Sequence, residues 1–142
     1  MFIRIAGAVG TAALVTGAML GIASQANAET NPNCGSVTQI GSTAYIKSGS
    51  TTIASVKQFK GCNKNWSYTY VWESFRSSHS GNWWACSGIS AGSQGLVDYK
   101  CGGNHQAEVW SSGANTLSAC TKAYGQLEWS NGEGSAATDQ RC

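Results

Sequence analysis

Between Trp66 and Trp72 every second residue is aromatic: Trp66, Tyr68, Tyr70 and Trp72 alternate with Ser67, Thr69 and Val71. Successive side chains of a strand point to opposite faces, so this order puts four large rings on one face. At helical spacing the same rings would spread around the cylinder, and the intervening Thr and Val also favour a strand. The stretch from Trp66 through Phe75 is therefore expected to be the central strand of a β-sheet. Its ring-bearing face is expected to pack as core, because large exposed apolar patches are uncommon on soluble monomers. The competing reading is an exposed platform that stacks on sugar rings or bases.

The rest of the chain supports a sheet. Thr51 to Phe59 reads as a strand, and Lys60-Gly61-Cys62-Asn63-Lys64-Asn65 supplies Gly and Asn for a tight connection. Residues 51–75 are thus expected to form an antiparallel hairpin with Cys62 close to its turn. Short strands are expected over Val37–Ile40 and Thr43–Lys47, split by Gly41-Ser42, and over Trp83–Ser87, Leu96–Cys101, His105–Trp110 and Gln126–Trp129. Gly88 to Gly95 reads as a loop, and Ser130 to Cys142 as a polar tail. Between Ala114 and Tyr124, Leu117, Cys120 and Tyr124 recur at helical spacing. Ser112 is a candidate N-cap and Gly125 a candidate C-cap, so one short helix is expected there. The expected fold class is mainly β: a small antiparallel sheet, sandwich or open barrel with one short helix and three disulfides.

The start of the chain reads as an export signal. Arg4 precedes an uncharged apolar run from Ile5 to Ile22, and Ala26-Asn27-Ala28 is an A-x-A cleavage pattern before Glu29. Residues 1–28 are expected to be a signal peptide and residues 29–142 a single secreted domain with no membrane attachment after cleavage. All six cysteines, Cys34, Cys62, Cys86, Cys101, Cys120 and Cys142, lie in the second part. An even count in a small exported chain reads as a disulfide framework whose connectivity the sequence does not choose. With no C-x-x-C and only two histidines, no metal is expected, and no motif calls for a cofactor. Nine Lys/Arg, one of them Arg4, stand against seven Asp/Glu, so the exported part is nearly neutral. That balance argues against a dedicated nucleic-acid binder and against a polybasic membrane patch.

Several residue groups have the types that chemistry needs. Glu73, Arg76 and His79 combine a carboxylate, a guanidinium and an imidazole within seven positions. In a small ribonuclease such a set would take the 2′-hydroxyl proton, offset phosphate charge and protonate the leaving oxygen. The simpler reading is a strand-end ion pair beside a loop histidine. His79 and His105 with Asp98 and a serine would suit a hydrolase, though in a serine-rich chain proximity to some serine means little. Glu73, Asp98, Glu108 and Glu128 are candidates for a glycosidase carboxylate pair. Lys57, Lys60, Lys64 and Arg76 beside Trp66 and Trp72 have a single-strand binder's composition, but a solvated face explains them as well.

Trp83-Trp84 is a separate feature. Adjacent strand residues face opposite sides, so at most one of the two enters a one-sided core. The other is expected to be exposed and is favoured as a ligand contact, together with Trp110.

Ser48-Gly49-Ser50-Thr51, Ser55-Val56-Lys57-Gln58-Phe59, Cys62, Asn65, Tyr68-Thr69-Tyr70-Val71-Trp72 and Thr116-Leu117-Ser118-Ala119-Cys120-Thr121, behind an exported start, together resemble a group of small secreted actinobacterial proteins with no assigned function. The resemblance covers about half of the exported part. It implies secretion and a disulfide-tied, β-rich domain, and it brings no catalytic residues.

The expected function is a secreted extracellular protein, non-enzymatic, that binds envelope polysaccharide or another surface ligand through Trp83, Trp84 and Trp110. The alternatives are a ribonuclease-like hydrolase using Glu73, Arg76 and His79, and an inhibitor or toxin-like effector presenting the loop from Gly88 to Gly95.

Overall fold

The computed structural model describes residues 28–142. The signal peptide expected over residues 1–28 lies, Ala28 apart, outside the described residues. In chain order the elements are β1 (Ala28–Asn31), β2 (Gly35–Ser48), β3 (Thr51–Gly61), β4 (Lys64–Val71), α1 (Glu73–Ser78), β5 (Trp83–Ser90), β6 (Leu96–Cys101), β7 (Glu108–Trp110), β8 (Lys122–Trp129) and β9 (Gly132–Ala137). A 3-10 turn at Gly92–Gln94 joins β5 to β6.

All pairings are antiparallel. The first sheet has the order β1-β2-β3-β4-β7 and the second β6-β5-β8-β9. The fold is mainly β, as the alternation required, with two antiparallel sheets and one half-barrel. The β3–β4 hairpin turns on Cys62 and Asn63, both at positive φ (51° and 57°), in a two-residue loop whose twist matches the strands. β2 runs unbroken through Gly41-Ser42, but its register shifts there, and the bulge bends the strand. A side chain at Gly41 would meet Asp139 and Arg141, which approach from the C-terminal segment.

Two apolar clusters hold the fold, and they lie on opposite faces of the first sheet. Between the sheets pack Ile46, Ala54, Val56 and Val71 from the first and Trp83, Ala85, Ile89 and Leu127 from the second, with Phe75 of α1. On the other face Val37, Phe59, Trp66 and Tyr68 pack together, with Cys34, Tyr70 and Trp110 against them. Of the aromatic ladder, Trp66 (2% exposed) and Tyr68 (6%) are buried in this second cluster, while Tyr70 and Trp72 are half-buried. The face turned to the second sheet carries Ser67, Thr69 and Val71.

Small polar groups let the sheets approach there. Ser67 Oγ donates to the Tyr124 carbonyl at 3.0 Å, Thr69 Oγ1 to the Cys86 carbonyl at 3.0 Å, and Ser87 Oγ to Ser67 Oγ at 2.7 Å. Gly125 sits opposite, and a Cβ on it would overlap Val56 Cγ2 and Thr69 Oγ1. These buried hydroxyls are satisfied across the seam, as buried polar groups must be.

The disulfides are Cys34–Cys62, Cys86–Cys101 and Cys120–Cys142. They tie the β1–β2 corner to the β3–β4 turn, clasp β5 to β6, and fix the C-terminal segment. Three disulfides fit folding in an oxidising compartment. Among the described residues no helix is long and apolar enough to cross a membrane.

The single short helix lies elsewhere than the spacing predicted. Residues 114–121 form turns and β8 begins at Lys122, while the helix is α1 at Glu73–Ser78. The backbone of Asn65 exchanges both hydrogen bonds with Ala114, at 3.0 and 2.8 Å, and the Asn65 amide reaches Thr116 Oγ1 at 2.9 Å. These bonds offer the segment an alternative to helix. The central strand ends at Val71, four residues before Phe75. Trp72 donates to the Ile53 carbonyl, and its own carbonyl receives Phe75 and Arg76 N–H. The expected loop from Gly88 is shorter, since β5 runs to Ser90. The strand expected at His105 begins only at Glu108, His105 itself having φ 62°. The polar tail holds a strand, β9.

Candidate functional site

The outward face of the second sheet is built by alternation. β5 sends Trp83, Ala85, Ser87 and Ile89 inward and Trp84, Cys86 and Gly88 outward. On β8 the outward set is Tyr124, Gln126 and Glu128, paired with Gly88, Cys86 and Trp84. Gly88 has no side chain, and Tyr99 and Leu96 of β6 fold over it, within 3.0 and 3.1 Å of where a Cβ would stand. Trp84 (38% exposed), Tyr99 (43%) and Leu96 (46%) are thus on one face. Four residues of strand separate Trp84 from Gly88, about 13 Å.

Polar groups fill the interval between the rings. Tyr99 Oη donates to Gln126 Oε1 at 2.9 Å, and Gln126 Nε2 donates to Glu128 Oε1 at 2.8 Å. The Tyr99 and Tyr124 rings are 6.4 Å apart. Partial burial, then Tyr124 and Glu128, raise the Tyr99 phenol above its ordinary range, so it stays a neutral donor. The Cys86–Cys101 bridge joins the strands beneath the row. The face carries Glu128, Glu133 and Lys122, with no cluster of cations.

The predicted tryptophans separate. Trp83 is buried (2% exposed) beside Phe75 and His105, so it has no surface to offer a ligand. Trp84 is exposed, as the parity of the pair required. Trp110 is half-buried on the first sheet, 4.5 Å from the Tyr68 ring and 5.1 Å from Phe59. The three therefore do not share a face. Tyr99, Leu96, Tyr124 and Gln126 are not among the residues the sequence singles out, and Glu128 is singled out only as a candidate carboxylate for glycoside hydrolysis. The signal on β8 is the alternation Tyr124-x-Gln126-x-Glu128, of which the strand expected over Gln126–Trp129 covers two members and the expected helix takes Tyr124.

Glu73, Arg76 and His79 all belong to α1 or its end but turn apart. Arg76 donates to the Val71 carbonyl (3.1 Å) and the Tyr70 hydroxyl (3.3 Å). His79 stacks on Phe75 at 3.8 Å, with Nδ1 3.0 Å from the Phe75 carbonyl and from Ser78 Oγ. No hydrogen bond or ion pair joins the three, and the two cavities that His79 lines contain neither Glu73 nor Arg76. The set has no assembled geometry for RNA cleavage. His105 Nε2 meets the Gly81 carbonyl at 2.7 Å, and Asp98 accepts the Gly113 N–H at 2.8 Å, so these do not form a triad with His79. Glu108 accepts the Tyr68 hydroxyl on the first sheet, far in topology from Glu128. The basic residues disperse too: Lys57 pairs with Glu29 at 2.5 Å, and Lys64 lies over the Trp66 ring at 5.9 Å. Among the described residues no three His, Cys, Asp or Glu gather as a metal site.

Comparison with protein-family models, curated proteins and solved structures found no match for this chain.

Proposed function

We propose that this protein is a secreted, non-enzymatic binder of envelope polysaccharide, and that its contact surface is the outward face of the second sheet. The observation that carries this reading is the placement of Trp84 and Tyr99 on one exposed face, with Gln126 and Glu128 between and beside them. Ring faces stack on the C–H faces of sugars, and amide and carboxylate groups bond sugar hydroxyls. A face with two carboxylates and one lysine suits an uncharged polymer and disfavours nucleic acid, whose binding rests on cations. The three disulfides fit an extracellular site of action. The test is depletion of the oxidised protein from solution by insoluble peptidoglycan, chitin and cellulose, beside Trp84→Ala. Retention of the parent on one of them, lost in the variant, supports the reading; no retention on any of them refutes it.

A protein inhibitor is the second reading. Cys86–Cys101 clasps the β5–β6 hairpin, and its turn at Gly92–Gln94 is exposed. Inhibition of a protease panel, abolished by cutting that turn, would favour it over the first.

A further inference from the structure

The first sheet ends in two edges, β1 and β7, each paired on one side only. Thr30 and Pro32 from the β1 side and Glu108 and Trp110 of β7 nevertheless line one cavity of about 370 Å³, together with Lys100 and Gln106. The sheet is therefore bent far enough to bring its two ends to the sides of one groove, without pairing them. The same bend lets Glu29 of β1 reach Lys57 of β3.

Both edges leave backbone groups unpaired. Val71 N–H donates to the Ala107 carbonyl and Ser111 N–H to the Ser67 carbonyl, so antiparallel alternation turns the N–H and C=O of Glu108 and Trp110 away from β4. On β1, Asn31 gives its carbonyl to the Cys34 N–H at the turn, so Thr30 turns its groups away from β2. Gln106 Nε2 covers the Glu108 carbonyl at 2.9 Å. Among the described residues no hydrogen bond takes up the outward groups of Thr30 or Trp110. Pro32 has no N–H and ends the row of donors on its side.

Strand direction decides what fits between them. Every neighbouring pair in the order β1-β2-β3-β4-β7 is antiparallel, which leaves β1 and β7 running the same way. They cannot close on each other as an antiparallel pair. One further strand running the opposite way would pair antiparallel with both and close the sheet as a six-stranded barrel. An extended peptide supplies N–H and C=O alternately to its two sides, which is what both edges lack. Charge adds a requirement. Lys100 has no ion-pair partner among the described residues, whereas Glu108 already accepts the Tyr68 hydroxyl.

We propose that the groove between β1 and β7 takes one extended segment of a partner protein, about as long as β1, as a sixth strand antiparallel to both edges, with an acidic side chain of that segment against Lys100. The site lies on the first sheet and does not rest on the polysaccharide reading.

The probe is a blocked pentapeptide, acetyl-Thr-Val-Asp-Val-Thr-amide, titrated into the oxidised protein and followed by amide-resolved NMR. Saturable shifts are expected at Thr30, Glu108 and Trp110, and hydrogen exchange at the Thr30 and Trp110 amides should slow in the complex. N-methylation of the two valines removes the donors on one side of the peptide and is expected to weaken it about tenfold. Lysine in place of the aspartate should weaken it about fivefold. Lys100→Glu, at an exposed position, should reverse that order of the two peptides with the melting temperature unchanged. Concentration-dependent shifts of the same amides without peptide would place a second copy of this chain in the groove and overturn the proposal. Absence of saturable shifts, equal binding of the N-methylated peptide, or an order of peptides unchanged in Lys100→Glu would overturn it as well.

Discussion

Tyr99 Oη donates to Gln126 Oε1 at 2.9 Å, across from one strand of the second sheet to another on the far side of β5. Beside it lies Gly88, where a Cβ would crowd the Tyr99 ring at 3.0 Å. The bond fixes a ring at the surface with its hydroxyl turned along the sheet. The Gln126 amide then orients Glu128 beside Trp84. A surface tyrosine held this way loses little rotational freedom when it meets a ligand, which lowers the cost of binding.

Trp83 and Trp84 should respond oppositely to truncation. Trp83→Ala empties a core position and is expected to cost about 3–5 kcal/mol. Trp84→Ala removes an exposed ring and is expected to change stability by no more than about 0.5 kcal/mol. Its effect should fall on glycan retention instead, about tenfold, or about 1.4 kcal/mol. Denaturant unfolding of the two variants checks the first contrast, and depletion isotherms the second.

Gly125→Ala should separate the sheets. The added methyl would overlap Val56 and Thr69, where the seam is narrowest. Overpacking of this kind costs about 1–3 kcal/mol. The midpoint of urea unfolding should fall with its slope unchanged. Gly49→Ala, where a Cβ meets nothing but φ is +61°, should cost less, about 1 kcal/mol.

The C-terminal segment should carry an acid-sensitive latch. The Ser42 N–H, 2.7 Å from Asp139 Oδ1, holds that carboxyl below its ordinary value near 3.8; Arg141 adds to this, and lost solvation opposes it. The folded pKa is depressed, so the contribution is present above 3.8 and is lost as pH falls through the lower folded value. The Ser42 amide signal should therefore titrate with a midpoint below 3.8. A midpoint at or above 3.8 would show that the contact does not hold in solution.

The Tyr68 phenol should resist ionisation. Burial chiefly, then its hydrogen bond to Glu108, raises it far above its ordinary 10.0. Here the raised value means that stability is full below pH 10 and declines as pH rises beyond it. Ultraviolet titration should leave one tyrosine neutral until the protein unfolds, and Tyr68→Phe should move that alkaline transition.

Much of the first sheet was legible from residue order. The period of two from Trp66 to Trp72, with Asn63 and Gly61 nearby, is enough to define the β3–β4 hairpin and its turn. The same parity separates Trp83 from Trp84. What the order does not reveal is which face of a strand meets the other sheet. The rings of Trp66 and Tyr68 mark a core face by size, yet the two sheets meet on the other face, where Ser67, Thr69, Ser87 and Gly125 are small. The rings of Trp66 and Tyr68 pack on the opposite face of the first sheet, with Val37, Phe59 and Trp110. The segment from Ala114 to Tyr124 misled for a different reason. Its helical spacing is real, but Asn65 and the Cys120–Cys142 bridge act on it from distant parts of the chain. The platform was legible only in part as a consequence: Gln126 and Glu128 fall in an expected strand, but Tyr124, on the same face, falls in the expected helix.

The most direct measurement follows the tryptophan indole N–H signals while a soluble oligosaccharide from the retained polymer is added. The chain has six tryptophans. The Trp84 signal is expected to shift and saturate, while those of the buried Trp83 and Trp66 stay in place. A saturating shift at Trp110 with Trp84 unmoved, or no shift at any indole, would contradict it.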